Sequence, residues 1–545
     1  MPTTLYAARK IITMNPARPH ATHVAVRDGL ILGAGTEDEL RGWGDMTPDD
    51  RFRDKVLMPG LVEGHSHLME GSLWSKVYVG FFDRTDPEGT THAGCRDLDA
   101  VIDRLRAAER DMAPGEPLAA WGFDPIYFDD PTVTREDLDR VSDARPIGIM
   151  HASGHIMNLN TPALDAAGLL REGVNHPGVP LGADGRPTGA LKGPDVMTPA
   201  GVHAGFDRDM LACDAPGMRR FGKLCVRAGV TTATDLAARL NDEAVETMLR
   251  VTAEPDYPAR IVCHRFHHGL SPEDLIAQVE ALRGRSTDMC RMGRIKVIVD
   301  GSIQGFSARI RAPGYYNGAP NGLWYIAPEH LRYILAEALA KGLQVHTHTN
   351  GDEATQLVIE TLEDVLSDRP APDHRLTLQH CQLADRAQLT RLAELGACIN
   401  FFANHHFYWG DEHYRLTVGP ERAERMNPAR TALDLGIPVA IHSDAPITPL
   451  GPLFTAWAAA TRRTVSGRVQ GAHERITVPE ALWAVTMGAA HTLKLDGEVG
   501  SIETGKRADF AVLEDDPEAA EADALRDVRV WGTVQGGRVF EAAAA

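Results

Sequence analysis

Short runs of alternating apolar and polar residues mark both ends of the chain, whereas longer apolar runs separated by helical periodicity fill the middle. Near the start, Leu5 to Met14 and Thr22 to Ala34 alternate, and Asp28-Gly29 suits the positive φ angles of a tight hairpin turn. Near the end, Phe510 to Leu513 and Val528 to Phe540 repeat the pattern, with Gly536-Gly537 as the turn. The pattern predicts a small β-sandwich domain built from both termini, residues 1–57 and 491–545. Between them, candidate strands are Val56–Val62, Leu118–Trp121, Ile147–His151, Val230–Ala233, Arg260–Cys263, Ile295–Val299, Gln344–Thr347, Leu376–Gln379, Ala397–Phe401 and Val439–Ile441. Helical patterns such as Glu329–Lys341, Glu353–Leu366 and Arg386–Leu395 separate several of them, which points to a parallel sheet or barrel. Ten strands are two more than a (β/α)8 barrel uses. The Gly-, Pro- and Asp-rich stretch from about 70 to 220 is therefore expected to be an insertion holding the surplus. The fold class expected is α/β: a (β/α)8 TIM barrel over residues 58–490 with that insertion, plus the terminal β-sandwich.

Composition narrows the function by exclusion. The 75 acidic against 56 basic side chains leave a formal charge of −19. Nucleic acid and anionic membrane, which need clustered positive charge, are poor partners for such a chain. Seven cysteines without a tight Cys-x-x-Cys pair form neither a disulfide framework nor a zinc ribbon. No apolar core of signal-peptide length and no membrane-spanning run is visible, so a cytoplasmic enzyme is the expectation. The 23 histidines against ten tyrosines are the unusual feature of the composition.

Several of those histidines follow strands. Met58-Pro-Gly-Leu-Val-Glu-Gly-His65-Ser-His67 ends an apolar run with two histidines at i and i+2, a spacing that puts both imidazoles on one face of an extended chain. His346 and His348 end another run, His380 a third, and His442-Ser443-Asp444 a fourth. In a barrel these ends converge on the mouth where active sites are built. Lys296 lies inside the apolar run Ile295–Val299, and burying an ammonium is costly, so it must be paired, deprotonated or modified. A carboxylated lysine supplies two oxygens able to bridge two metal ions.

The set Pro59-Gly-Leu-Val-Glu-Gly-His65-Ser-His67, Lys296-Val-Ile-Val-Asp-Gly-Ser302, His348-Thr-Asn-Gly-Asp352, His380 and Ser443-Asp444-Ala-Pro resembles the amidohydrolase superfamily, most closely amidohydrolase family 3, the N-substituted formamide deformylase-like group. Gly500 to Phe510 is similar to that group's return into the β domain. The resemblance implies His65 and His67 as ligands of the more buried metal and a carboxylated Lys296 as bridge. His348 and His380 would hold the second metal, and Asp444 would bind metal and shuttle the proton. Two positions depart from the pattern. Glu63 replaces the usual Asp before His-x-His, and Gly189-Ala-Leu191-Lys192 lacks the glutamate of a Gly-x-Leu-x-Glu motif. Lys296 is preferred over Lys192 as the bridge because it sits on a strand ahead of His348.

Other features are secondary. Gly500 to Lys506 imitates a phosphate-binding loop, but Arg507 stands where Ser or Thr should hold magnesium. Cys381 reads as buried filler rather than a nucleophile, and His267-His268 as a loop pair. His405, His406 and Trp409, with His155 from the insertion, are candidates for substrate contact. The expected function is hydrolysis of a C–N bond in a small amide-like molecule by Zn2+-activated water, with one or two metal ions and a possible homodimer. The alternatives are ester hydrolysis, deamination, decarboxylation or a non-catalytic regulatory relative.

Overall fold

The computed structural model describes residues 3–128, 133–207 and 212–542. The alternating N-terminal runs form strands β1 (Thr3–Ile12), β2 (His20–Arg27) and β3 (Leu30–Gly35). Asp28 and Gly29 turn the β2–β3 hairpin at φ +52° and +75°. The long strand β4 (Met46–Pro59) runs parallel to β1, and after Gly60 the chain enters β5 (Leu61–Glu63). A Cβ at Gly60 would lie 2.0 Å from Thr231 Oγ1, so only glycine lets the chain pass here.

Residues 68–221 form a compact unit of their own. It contains β6 (Val77–Tyr78), the ribbon β7 (Arg84–Thr85) and β8 (Thr91–His92), then β9 (Leu118–Phe123), β10 (Ile147–His151), β11 (Ile156–Leu159) and β12 (Ala190–Lys192). Five of these strands make one sheet, in the order β12-β11-β10-β9-β6. Met150, Met157, Leu159, Met197 and Phe206 belong to one of its apolar clusters, and Ile102, Leu105, Phe123 and Ile149 to another. Within this unit Arg84 is buried against Glu70 at 2.6 Å and over the Trp121 ring at 4.8 Å.

The first unit resumes with β13 (Val230–Ala238), β14 (Arg260–Phe266), β15 (Cys290–Ile298), β16 (Gln344–Thr349), β17 (Thr377–His380), β18 (Cys398–Phe401) and β19 (Val439–Ile441). With β5 they make an eight-stranded parallel sheet in sequence order, each strand beside the next. A parallel Ser66–Ala445 bridge joins the segments that follow β5 and β19. This is the (β/α)8 barrel, and its strands are almost wholly buried, as parallel strands covered by helices must be. The end of the short helix Ala489–Thr492 reaches the interior, where the Thr492 carbonyl accepts from Gln344 Nε2 at 2.7 Å.

The chain then returns to the terminal sheet as β20 (Phe510–Leu513), β21 (Val530–Gln535) and β22 (Arg538–Glu541). The seven strands lie in the order β22-β21-β20-β4-β1-β2-β3. This sheet curls on itself, because Ile31 of β3 exchanges backbone hydrogen bonds with Gly505 and Lys506, just ahead of β20. Tyr6, Phe52, Phe510 and Val534 are in the core it encloses. Lys506 donates to the Asp496 carbonyl and Ser501 Oγ, both at 2.6 Å, so Gly500–Lys506 is a structural turn. Asp509 binds Arg260 of β14 at 2.8 Å with both side chains buried, which ties the sheet to the barrel strands. No helix among the described residues is long and apolar enough to cross a membrane.

Candidate metal centre

Joining β5 to β19 builds the centre. The His67 N–H donates to the Ala445 carbonyl at 2.8 Å and the Asp444 N–H to the His65 carbonyl at 3.1 Å. Those bonds bring residues from opposite ends of the barrel sequence together. Asp444 Oδ1 stands 3.3 Å from His65 Nε2 and 3.3 Å from His67 Nε2. The carboxylate of Glu63 reinforces the same seam. It accepts from Ser443 Oγ at 2.7 Å and from the N–H groups of Ser443 and His65, both at 3.2 Å. Burial pushes the Glu63 carboxyl up to about 8 against the pull of these donors.

His380 comes next to this cluster by a backbone device. Alternation along β17 puts Gln379 inside the barrel, where it contacts His65, and would turn its neighbour outward. His380 and Cys381 instead adopt left-handed backbone, φ +69° and +47°, and the His380 ring lies 4.8 Å from that of His65 and 4.5 Å from that of His348. Asp444 is left-handed as well, at φ +55°. Non-glycine residues hold such angles only where surrounding contacts impose them, at about 1–3 kcal/mol each. His348 sits 3.4 Å from Asp300, which is itself pinned by the N–H groups of Arg309, Asn350 and Gly351 at 2.8–3.0 Å.

Lys296 lies within β15 and is 1% exposed. Burial pulls its ammonium down to about 7, with Asp444 the opposing influence. Lys192, by contrast, is exposed on β12. Burial raises the Asp444 carboxyl, but its close contact with His67, and then the electrostatic influence of His67, His442 and Lys296, outweigh that and hold the carboxylate below its ordinary value. His65 and His380 are pushed well down, first by burial, and remain neutral imidazoles.

Seven buried polar atoms of the cluster find no hydrogen-bond partner among the described residues: His67 Nδ1, Lys296 Nζ, His348 Nδ1, His380 Nδ1, both nitrogens of His442, and Asp444 Oδ1. Leaving such atoms unsatisfied costs about 1–3 kcal/mol apiece. Two triads of ligand atoms, His65 with His67 and Asp444, and His65 with His380 and His442, each lie within 4.8 Å of one another. Neutral imidazoles and a carboxylate are the donor set a zinc-like divalent cation takes, so these residues fit such an ion.

A family model described as the amidohydrolase family matches residues 53–540. The chain belongs to this family. It is 27% identical over 540 residues to the N-substituted formamide deformylase of Arthrobacter pascens, covering 96% of this chain and 95% of that protein. Among solved structures it resembles an uncharacterized metal-dependent hydrolase of Pyrococcus horikoshii OT3, with a TM-score of 0.72, 18% identity and coverage of 95% and 99%. It also resembles a mutant of the atrazine chlorohydrolase of Arthrobacter aurescens TC1 complexed with zinc and atraton, with a TM-score of 0.54, 15% identity and coverage of 98% and 94%.

An aromatic series leads away from the cluster. The His442 ring stacks on Phe402 at 4.9 Å, Phe402 meets His405 at 4.4 Å, and His405 meets Trp409 at 4.5 Å. His405 Nδ1 pairs with His413 Nε2 at 2.9 Å. His406 uses both nitrogens, toward Gln470 at 2.9 Å and Asn427 at 3.3 Å. His155 lies in the second unit, where its N–H reaches Ser153 Oγ at 3.3 Å. The Cys381 thiol is buried and pushed up to about 12 by that burial, which removes it as a nucleophile.

The sequence pattern gives no role to His442, Gln379 or Asp300. His442 shares the strand parity of Asp444, a signal that was available; Gln379 and Asp300 show their partners only in three dimensions.

Proposed function

We propose that this amidohydrolase hydrolyses the C–N bond of a small amide-like molecule, with Zn2+ as its metal. The observation that carries this reading is the convergence of His65 and His67 on Asp444 Oδ1 at 3.3 Å, beside further imidazoles and a buried amine. His65, His67 and Asp444 would hold one ion, and His348 and His380 the second, with Lys296 carboxylated between them. Such a cation lowers the pKa of water from about 16 to about 7 and polarises a carbonyl oxygen. Asp444, whose carboxyl is held below its ordinary value, takes the proton of the attacking water and returns it to the departing nitrogen. Lys296, pulled by burial to about 7, is about half free amine at neutral pH, and that form adds CO2 to give a carbamate and a released proton. His405 and Trp409, on the aromatic series that leads from His442, would contact the substrate, while His406, engaged at both nitrogens, would brace the helix that carries them.

The test is a panel of formamides, N-acyl amino acids, hydrazides, cyclic amides and matched esters, assayed with zinc-loaded protein and with His65→Ala. Amide cleavage lost in the variant is the expected result. A chain that binds no divalent metal, or activity that survives His65→Ala, overturns the reading.

A further inference from the structure

Below the cluster, a line of hydrogen bonds runs through the barrel interior. The Thr492 carbonyl is 3.0 Å from His346 Nε2, and His346 Nδ1 is 2.8 Å from Gln379 Nε2. Gln379 Oε1 is in turn 2.8 Å from His65 Nδ1 and 3.0 Å from Asn400 Nδ2. His65, His346, Gln379 and Asn400 are all buried, so no bulk water substitutes for a missing partner.

Only one proton arrangement satisfies this line with neutral rings. A backbone carbonyl accepts and never donates, so His346 carries its proton on Nε2. His346 Nδ1 is then an acceptor and must face the NH2 of Gln379. That fixes the amide with Oε1 toward His65 and Asn400, where Asn400 Nδ2 also requires an acceptor. His65 therefore carries its proton on Nδ1. Flipping the Gln379 amide would set a ring lone pair against the Thr492 carbonyl at 3.0 Å.

We propose that Gln379 and His346 are positioning residues that transmit the polarity of the Thr492 carbonyl to His65 and fix its tautomer with the Nε2 lone pair toward Asp444. The consequence is physical. His65 Nε2 and Asp444 Oδ1, 3.3 Å apart, are then two electron pairs facing each other, an arrangement that is repulsive until a cation stands between them. The fold thus prepares His65 as a ligand before metal arrives, and the anchor is a helix-end carbonyl rather than the carboxylate that commonly orients a metal-binding histidine. This inference rests on the metal-dependent reading and specifies how one of its ligands is set.

Two measurements test it. In the metal-free parent protein, long-range 1H–15N correlation should show the His65 ring protonated on Nδ1, with the signal assigned by its loss in His65→Gln; a ring protonated on Nε2 overturns the proposal. Zinc affinity, read by chelator competition, should fall roughly ten-fold or more in Gln379→Met and by a smaller factor in His346→Phe, with metal-free melting temperatures confirming folded protein. The double variant should bind no more weakly than Gln379→Met alone, because both changes break one line. Folded variants that bind within about two-fold of the parent, or losses that simply multiply, refute the relay while leaving the metal reading intact. Failure of the parent to bind zinc would defeat the metal reading instead, and the tautomer measurement would still decide the relay.

Discussion

At the scale of single residues, the centre is made of groups whose usual protonation states the fold has altered. Lys296 is the sharpest case. An amine buried with no hydrogen-bond partner among the described residues has lost the hydration that keeps ammonium charged, and the shift to about 7 makes about half of it free amine at neutral pH. If that amine is carboxylated, zinc loading should depend on CO2. Protein stripped of metal and reloaded with bicarbonate should take up about two zinc ions per chain, against about one in CO2-free buffer. Lys296→Met should take up about one in either buffer. Equal occupancy across all these conditions, measured by elemental analysis, would rule out the carbamate.

At the scale of elements, the centre depends on joining distant parts of the chain. Glu63 clasps the segment after β19 through Ser443, and the Ser66–Ala445 bridge aligns the His-x-His segment with Asp444. Ser443→Ala removes one buried hydrogen bond and leaves a Glu63 oxygen short of a donor. It should lower stability by about 1–3 kcal/mol in chemical denaturation, and an unchanged midpoint would contradict the clasp. A second link joins the terminal sheet to the barrel strands. Asp509 meets Arg260 at 2.8 Å, accepts from the Gly536 N–H at 2.8 Å, and offers its own carbonyl to Gly60 at 2.9 Å. Asp509→Ala leaves the Arg260 guanidinium buried and uncompensated, so a loss of about 3–5 kcal/mol is expected in the same measurement. A loss below about 1 kcal/mol would mean that the sheet is held without this pair.

At the scale of the whole molecule, the abundance of histidine has a thermodynamic consequence beyond the metal cluster. His346 and His413 in the first unit and His151 in the second are buried, and burial pushes them from 6.5 to about 3, 3 and 4. A base whose folded pKa is depressed contributes stability in full above its unfolded value. That contribution is lost as pH falls from 6.5 toward the folded pKa. By pH 5 each of the three has given up about 2 kcal/mol. Glu63, whose carboxyl is raised to about 8, gains stability over the same interval and offsets part of this loss, so the melting temperature of the metal-free protein should drop by a few degrees between pH 7 and pH 5. A flat profile over that interval would show that these rings are not buried in their neutral form.

The sequence by itself determined the fold class and the chemistry available to it. Period-two alternation at both ends and the helical spacing between strands suffice for a parallel barrel with a terminal β-sheet, because each periodicity states which face is buried. The strands Ile147–His151 and Val439–Ile441 were legible to the residue, while β15 begins at Cys290 rather than Ile295 because polar Arg291 and Arg294 interrupt its apolar run. The His65-x-His67 pair, His348, His380 and Asp444 were visible as polar residues where apolar runs stop. What only the tertiary structure decided is which atoms face one another. The left-handed turn at His380 reverses the direction that alternation implies, the seam between β5 and β19 sets His65 and His67 against Asp444, and His442 joins the same cluster. Gln379 and Thr492 are 113 residues apart and meet through His346 only in the closed interior. Hydrogen-bond direction and burial are properties of that interior, and no local pattern along the chain encodes them.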